Sequence, residues 1–456
     1  MHRMLVGRDF INKLFLIFLV LSFLVYIWMR GGVDKLYLDS DIARDLSEIS
    51  KLWIGQKVLW LGPRYSVGLH SSPFYYYLFS LPIFLSGGKA GSIVIFNVIL
   101  AIMALGFLGF AAYKKLGTKG LFVPLTLGMM PWWQDIAIHP GNGSTYAIFM
   151  LVFLTLLWFK LPVFLTVLFL GISASMHPGA FFGLPLIVYE FVKQKKSFKT
   201  WFISMFVFLI PFLPLIIFQL MTRGYWLSNW LTEQGRSFNL ILGFININSF
   251  ISFSGVYAGV FLVLLVLLVT TTNNRQKVWL ILSLLSLSVF TFFSKVPVHY
   301  LFGIMSMVWF CTSAFLMENN KRIVIPIILV FLVIDTLFLR DSPKVSARPI
   351  SKIEGVVDYL IQNDEVLKND RLAVLAQKDC DTKTPQADDY RFFLRVKGYK
   401  VEEVSDYSKA DKLIIFVEDK KLDWQNWCTW ETEQFGHRKL IKKMEVNGIL
   451  ITIYTR

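Results

Sequence analysis

The sequence predicts an α-helical polytopic membrane protein with a small soluble α/β domain at its C-terminal end. Three observations predict it. Hydrophobic residues are 55% of the 456-residue chain, and mean hydropathy is +0.56. Charged residues are 17%, below the roughly 25% of soluble domains. The apolar residues gather into many runs that approach the ~20 residues needed to cross a bilayer core of about 30 Å, and those runs stop near residue 340.

The first run follows MHRMLVGRDFINK, a basic start of the signal-peptide kind. Met29, Arg30, Gly31 and Gly32 lack the small-x-small cleavage pattern, so the segment reads as an uncleaved helix. Spans are expected near 13–30, 91–113, 120–134, 144–159, 162–176, 178–192, 200–221, 255–271, 278–293, 299–317 and 323–339. One further run, Pro73–Gly87, is short, tyrosine-rich and broken by Pro82. Lys and Arg collect in cytoplasmic loops. With the N-terminus inside and 73–87 not spanning, the inside loops hold Lys114, Lys115 and Lys119; Lys160; Lys193, Lys195, Lys196 and Lys199; Arg275 and Lys277; and Lys321 and Arg322. If 73–87 spanned, all of these clusters would move outside. The segment is therefore expected to be an interfacial or re-entrant hairpin, which leaves about eleven spans with the C-terminus outside.

From about 341 the chain becomes charged, with short apolar stretches at Arg371–Ala376, Leu413–Val417 and Gly448–Tyr454 that read as strands, and a helix at Glu354–Asn363. The expected division is a membrane domain, 1–340, and an extracytoplasmic α/β domain, 341–456. Cys380 and Cys428 both lie in this tail, where an oxidising compartment would permit a disulfide; two free thiols fit equally. Cys311 lies in an apolar run and reads as core.

The net charge of +15 is accounted for by topology. Nucleic-acid binding would need a basic face with stacking aromatics on a soluble surface, and the sequence offers none. It also has no P-loop, no HExxH and no GxSxG. A divalent metal held by His and Asp is conceivable, but no spacing is diagnostic of one.

The unusual polar residues fall on the expected outer face. The long first outer loop contains LDSDIARDL, which brings together Asp39, Asp41, Arg44 and Asp45; Asp41 and Asp45 share a helix face, with Arg44 beside it. A solvated helix start capped by Asp39 or Ser40 explains the same pattern. Arg64 lies in a turn-rich stretch before His70 and the tyrosine run at Tyr75. Later outer loops carry Asp135, His139 and Asn142 (WWQDIAIHPGN), His177 (MHPG), Arg236, and Lys295, His299 and Tyr300 (SKVPVHY). Four of the six histidines thus sit at outer ends of spans, which with the acids suggests a polar cavity there.

These motifs, in this order, resemble the GT-C superfamily of membrane glycosyltransferases, in particular the family of protein O-mannosyltransferases and aminoarabinose transferases. DIARD at Asp41–Asp45, GPRYSVG at Gly62–Gly68, SPFYYYL at Ser72–Leu78, HPGN at His139–Asn142, MHPG, and HYL at His299–Leu301 carry the resemblance across most of 1–340. The family often opens its first loop with Asp-Glu, where this chain has Asp41-Ile42, and often places an acid beside the second-loop Pro or Asn, where Asp135 lies a few residues earlier.

The resemblance implies transfer of a sugar from a polyprenyl-phosphate donor to an acceptor hydroxyl on a lipid, glycan or protein, on the outer side of the plasma membrane. Asp41 is then the first candidate base and Asp135 the second. Arg44, Arg236, Lys295 and His299 are candidates for stabilising the leaving phosphate. Three other readings compete. A transporter or flippase of lipid-linked sugars would need polar residues at mid-depth, and these spans have few. A polysaccharide polymerase or ligase would place its arginines and histidines in a large late loop, whereas here the first loop is longest. A receptor-like protein working through its tail would leave the outer His and Asp residues without a role.

Overall fold

The computed structural model describes residues 17–28, 30–33, 39–53, 58–64, 70–224, 273–291, 302–318, 348–377, 387–418 and 430–456, together with 15, 268 and 271. The expected spans at 255–271 and 323–339 lie almost wholly outside these residues, as do Cys380 and Cys428. The chain divides into two compact units. The first comprises 1–28, 60–75 and 94–342; the second comprises 29–59, 76–93 and 343–456.

The first unit is helical. Its apolar helices are α1 (Ile17–Trp28), α4 (Gly91–Leu116), α5 (Phe122–Gly128), α6 (Pro131–Ile138), α7 (Asn142–Trp158), α8 (Val163–Met176), α9 (Leu184–Lys193), α10 (Phe198–Leu209), α11 (Leu213–Met221), α12 (Asn274–Thr291) and α13 (Phe302–Glu318). The second unit contributes α2 (Ser40–Trp53), and α3 (Phe74–Leu85) leads into it. Among the described residues, two continuous helical stretches, 91–128 and 198–221, are long and apolar enough to cross a membrane.

The first of those stretches folds back on itself. Gly117 has φ +67°, and an added Cβ at Gly120 would lie 2.1 Å from the Ala112 carbonyl oxygen. Further along, Gly109 meets Pro124, and Gly128 meets Leu105. Residues eight to more than twenty apart are therefore neighbours, so α4 and α5 form an antiparallel hairpin.

The expected run 120–134 is interrupted. α5 stops at Gly128 and α6 restarts at Pro131, whose missing N–H suits the first position of a new helix. A second break separates α6 from α7 at His139–Gly141, where the axis bends by 116°. The run 178–192 opens as a 3-10 turn, Pro178–Gly183, before α9. Small residues permit close approach: a Cβ on Gly171 of α8 would lie 2.4 Å from the Phe208 carbonyl oxygen of α10.

In the second unit, five strands form one sheet in the order β2-β1-β3-β5-β4. The strands are β1 (Arg371–Gln377), β2 (Lys400–Val401), β3 (Lys412–Val417), β4 (Lys439–Val446) and β5 (Ile449–Thr455). β1 pairs in parallel with β2 and β3, and β5 pairs antiparallel with β3 and β4. The central strands are buried on both faces, which explains their unbroken apolar runs. One face packs Leu375, Leu413, Ile415, Tyr407 and Phe435 together. Helices α14 (Ile350–Gln362) and α15 (Asp388–Val396) bury apolar faces, and α16 (Trp430–Phe435) precedes the final hairpin. β4 is exposed along nearly its whole length.

Gly171→Ala should lower thermal stability in detergent by about 1–3 kcal/mol, because a backbone carbonyl cannot rotate away from the added methyl. Gly106→Ala, where nothing lies within 4 Å, should leave the melting temperature unchanged. Equal melting of the two variants would contradict the close α8–α10 approach.

Candidate active site

In the second unit the acidic motif forms the start of α2. Asp39 caps it: its Oδ1 accepts the Ile42 N–H at 2.7 Å. Asp41 then falls in the first turn, where a carboxylate complements the helix dipole. Arg44 stands between two acids. Its Nη1 donates to Asp41 Oδ1 at 2.9 Å, while Nη2 and Nε both donate to Asp45 Oδ1 at 2.9 and 3.1 Å. The Tyr76 hydroxyl donates to that same Asp45 oxygen at 3.2 Å.

The two carboxylates are unequal. The Asp41 side chain is 60% exposed and that of Asp45 is 1% exposed. Asp45 Oδ2 is buried and has no hydrogen-bond partner among the described residues. Burial pushes the Asp45 carboxyl up, against the pull of Arg44, to about 7. Burial also works to lower the Arg44 guanidinium, but Asp45, Tyr76 and Asp41 outweigh it and hold the group above its ordinary value. The motif therefore presents an exposed carboxylate, a fixed cation and a buried acid that titrates near neutral pH.

The rest of α2 anchors the motif. Ile42, Leu46 and Ile49 are buried, and the helix packs on α15. Arg395, 2% exposed, donates to the Ser47 carbonyl at 3.3 Å and to its hydroxyl at 3.0 Å. Lys51 pairs with Glu403 at 3.0 Å and with Glu48 at 2.6 Å. The acidic motif and the C-terminal sheet domain thus belong to one packed body.

In the first unit a second group of polar residues surrounds the α6–α7 break. Asp135, on α6, accepts the Tyr26 hydroxyl on Oδ1 at 2.5 Å. The His139 ring places Nδ1 2.8 Å from the Asp135 carbonyl oxygen, which calls for a proton on that nitrogen. Asn97 donates to the carbonyls of Ile136 and Ala137, both at 2.9 Å, and its own carbonyl accepts from Thr145 at 3.0 Å. The Tyr75 hydroxyl donates to the Pro140 carbonyl, and Asn142 donates to the Met176 carbonyl at 3.2 Å.

His177 accepts the Gly179 N–H on Nδ1 at 3.1 Å and stacks on Tyr146, with ring centres 4.5 Å apart. Tyr146 in turn accepts the Gly303 N–H at 2.8 Å. Arg64 and His70 pair through their backbones, and His70 Nδ1 lies 2.9 Å from the Gly62 carbonyl oxygen.

Asp39, Asp41, Arg44 and Asp45 are therefore together in the second unit. Asp135, His139, Asn142, His177, Tyr75, Arg64 and His70 are in the first. Arg236, Lys295, His299 and Tyr300 lie outside the described residues. Sequence reasoning passed over Tyr26, Tyr76, Asn97 and Tyr146. Only Asn97 carried a signal: an amide within an apolar run needs partners for its donors and acceptor. Among the described residues no three His, Cys, Asp or Glu side chains converge as metal ligands would.

No protein-family model matches the chain, and no curated protein matches it in sequence. Among solved structures, ArnT from Cupriavidus metallidurans bound to undecaprenyl phosphate superposes with a TM-score of 0.59 at 12% identity, covering 97% of each chain. The chain shares the fold of ArnT. The same ArnT in the apo state gives a TM-score of 0.45 at 10% identity, over 96% of this chain and 97% of that one. The Archaeoglobus fulgidus oligosaccharyltransferase in complex with Zn and sulfate gives 0.46 at 10% identity, over 87% of this chain and 67% of that one. The shared fold is accompanied here by apolar helices of which two stretches, among the described residues, are long enough for an integral membrane protein.

The buried acid gives a pH signature. An unfolded aspartate releases its proton near pH 3.9, whereas folded Asp45 holds it to about 7. Between those values the unfolded chain binds fewer protons than the folded one, so stability falls as pH rises through the window and levels off above it. Asp45→Asn should flatten this slope in thermal melts from pH 4 to 8. An unchanged slope would remove Asp45 as its source.

Proposed function

We propose that the protein is a membrane glycosyltransferase that moves a sugar from a polyprenyl-phosphate donor to an acceptor hydroxyl on a lipid, glycan or protein, on the extracytoplasmic side of the plasma membrane. The observation that carries this reading is Arg44 held between exposed Asp41 and buried Asp45. On a fold shared with ArnT, whose crystal structure holds undecaprenyl phosphate, that arrangement supplies the groups such a transfer requires. The topology that goes with this reading has about eleven spans, a cytoplasmic N-terminus and an exported tail from 341 to 456.

The acceptor oxygen attacks the anomeric carbon and loses its proton, while the bond from that carbon to the donor phosphate breaks. Asp41, the accessible carboxylate, takes the proton. Asp45 acts as a positioning residue: it fixes the Arg44 guanidinium that also pairs with Asp41. The phosphate departs carrying the bonding electron pair, and its developing charge needs fixed cations. Arg44, Arg236, Lys295 and His299 remain the candidates for that role. Asp135, held by Tyr26, is the second candidate base. Direct displacement inverts the anomeric centre.

Purified protein in liposomes, offered a panel of radiolabelled polyprenyl-phosphate sugars, should transfer label from one of them with inversion. Asp41→Asn should lower that rate about 100- to 10,000-fold with membrane insertion unchanged. Asp45→Asn should keep measurable transfer but lose its pH dependence. In the wild type, Asp45 ionises near pH 7 beside Arg44, so the rate should change with pH through neutrality. Full activity of Asp41→Asn would exclude it as the base, and a folded protein inert with every donor would exclude the proposed activity for that panel.

A further inference from the structure

The loop cations that orient the chain also line a cavity. Lys115 lies in the last turn of α4, Lys193 closes α9, Arg275 opens α12, and Lys160 follows α7. All four border one cavity of about 690 Å³ in the first unit, together with Trp158, Trp279 and Glu318. That volume is within the roughly 300–1,000 Å³ typical of small-molecule sites.

The acids nearby are already engaged. Glu318 accepts from Trp158 Nε1 at 3.1 Å, and also from Gln276 and Lys115. Glu190, buried where it lines a neighbouring cleft, pairs with Arg275 and accepts from Gln194 at 3.1 Å. Arg275 is further occupied by the Leu157 carbonyl at 2.9 Å.

Two cations are left over. Lys160 and Lys193 make no ion pair among the described residues; the contacts of Lys193 are to the hydroxyl and ring of Tyr189. The cavity thus has an excess of positive charge, indole walls and two uncommitted ammonium groups. A phosphate ester is the anion that such donors suit.

A second feature selects the kind of phosphate. Lys160 also borders an adjoining cleft of about 180 Å³, lined by Leu157, Leu161, Val163, Ile187 and Phe191 together with the polar Thr166, Glu190, Gln194 and Lys196, the acid being already paired with Arg275. A ligand with its charged end in the larger cavity would find the aliphatic part of this cleft, Leu157, Leu161, Val163 and Ile187, beyond Lys160, which a soluble phosphate would leave uncovered. We propose that this cavity binds the phosphate headgroup of an anionic phospholipid, with the first methylenes of its chain against the aliphatic side chains of the adjoining cleft. By the Lys/Arg bias the leaflet is the cytoplasmic one. The cavity shares no residue with the acidic motif, and the proposal holds whether or not the protein transfers sugar.

The test is equilibrium binding to the full-length protein in a nonionic detergent. Short-chain dihexanoyl phosphatidylglycerol should bind saturably and more weakly as salt rises. Dihexanoyl phosphatidylcholine, with the same chains and no net charge, should bind at least about tenfold more weakly, equivalent to about 1.4 kcal/mol.

Lys160 has φ +55°, a conformation that Asn tolerates, so the informative double variant is Lys160→Asn with Lys193→Gln. It should lose about tenfold for phosphatidylglycerol while melting as the wild type does. A Lys160→Arg, Lys193→Arg protein should keep the affinity. Equal affinity for the two headgroups, or undiminished phosphatidylglycerol binding in the normally melting Asn/Gln variant, would overturn the proposal. Glycerol 3-phosphate binding as tightly as the lipid would overturn the lipid assignment in favour of a soluble phosphate.

Discussion

A helix that breaks within a packed apolar interior frees peptide groups, and each freed carbonyl needs a donor from the protein itself. The 116° bend between α6 and α7 is where the first unit meets this constraint. Asn97 reaches from α4 to two carbonyls at the end of α6, Tyr75 reaches the carbonyl of Pro140, and Asn142 turns to the end of α8. Thr145 holds Asn97 in its orientation. Asp135 and His139 project from a segment that these bonds keep in place. Tyr146, clamped by the HPG turn and the start of α13, extends the same arrangement to His177.

The second unit solves a different problem. Asp45 is buried beside a cation that is itself only partly exposed, and all three of its donors converge on one oxygen. The Coulombic gain from Arg44 lessens the cost of burial without cancelling it, which is why the acid titrates near neutral pH. Perturbed groups of this kind gather at functional sites, because burial and a specific partner tune proton affinity together. The anchoring of α2 by Arg395 and Lys51 keeps that tuning constant.

Much of this was legible in the residues. The three-residue spacing of Asp41 and Arg44 foretold their ion pair, though not the pairing of Arg44 with adjacent Asp45, and the runs RLAVLA, LIIFV and ILITIY announced strands. Three things were not legible. Asp39 as a cap and Asp39 as a ligand have the same sequence; only the Ile42 bond separates them. The tyrosine run gives three consecutive hydroxyls with no local mark of which one meets Asp45, since helical phase depends on where α3 begins. The loop lysines read as orientation signals, and only the packed helix ends reveal that Lys160 and Lys193 face a cavity with Arg275. The departures from expected helix bounds fall at Pro131 and Pro178, where local chemistry interrupts an otherwise continuous apolar run.

The two margins of the C-terminal sheet differ in kind. β2 is only two residues long, and β4, exposed along its length, carries Lys439, Lys442 and Lys443. A short margin offers too few peptide groups for another chain to zip onto, and a lysine-rich one repels a second copy of itself. Membrane proteins are confined to two dimensions, where neighbouring copies collide often. With both margins closed, such collisions leave the sheets separate, and the protein can be crowded to high surface density without its soluble domains polymerising.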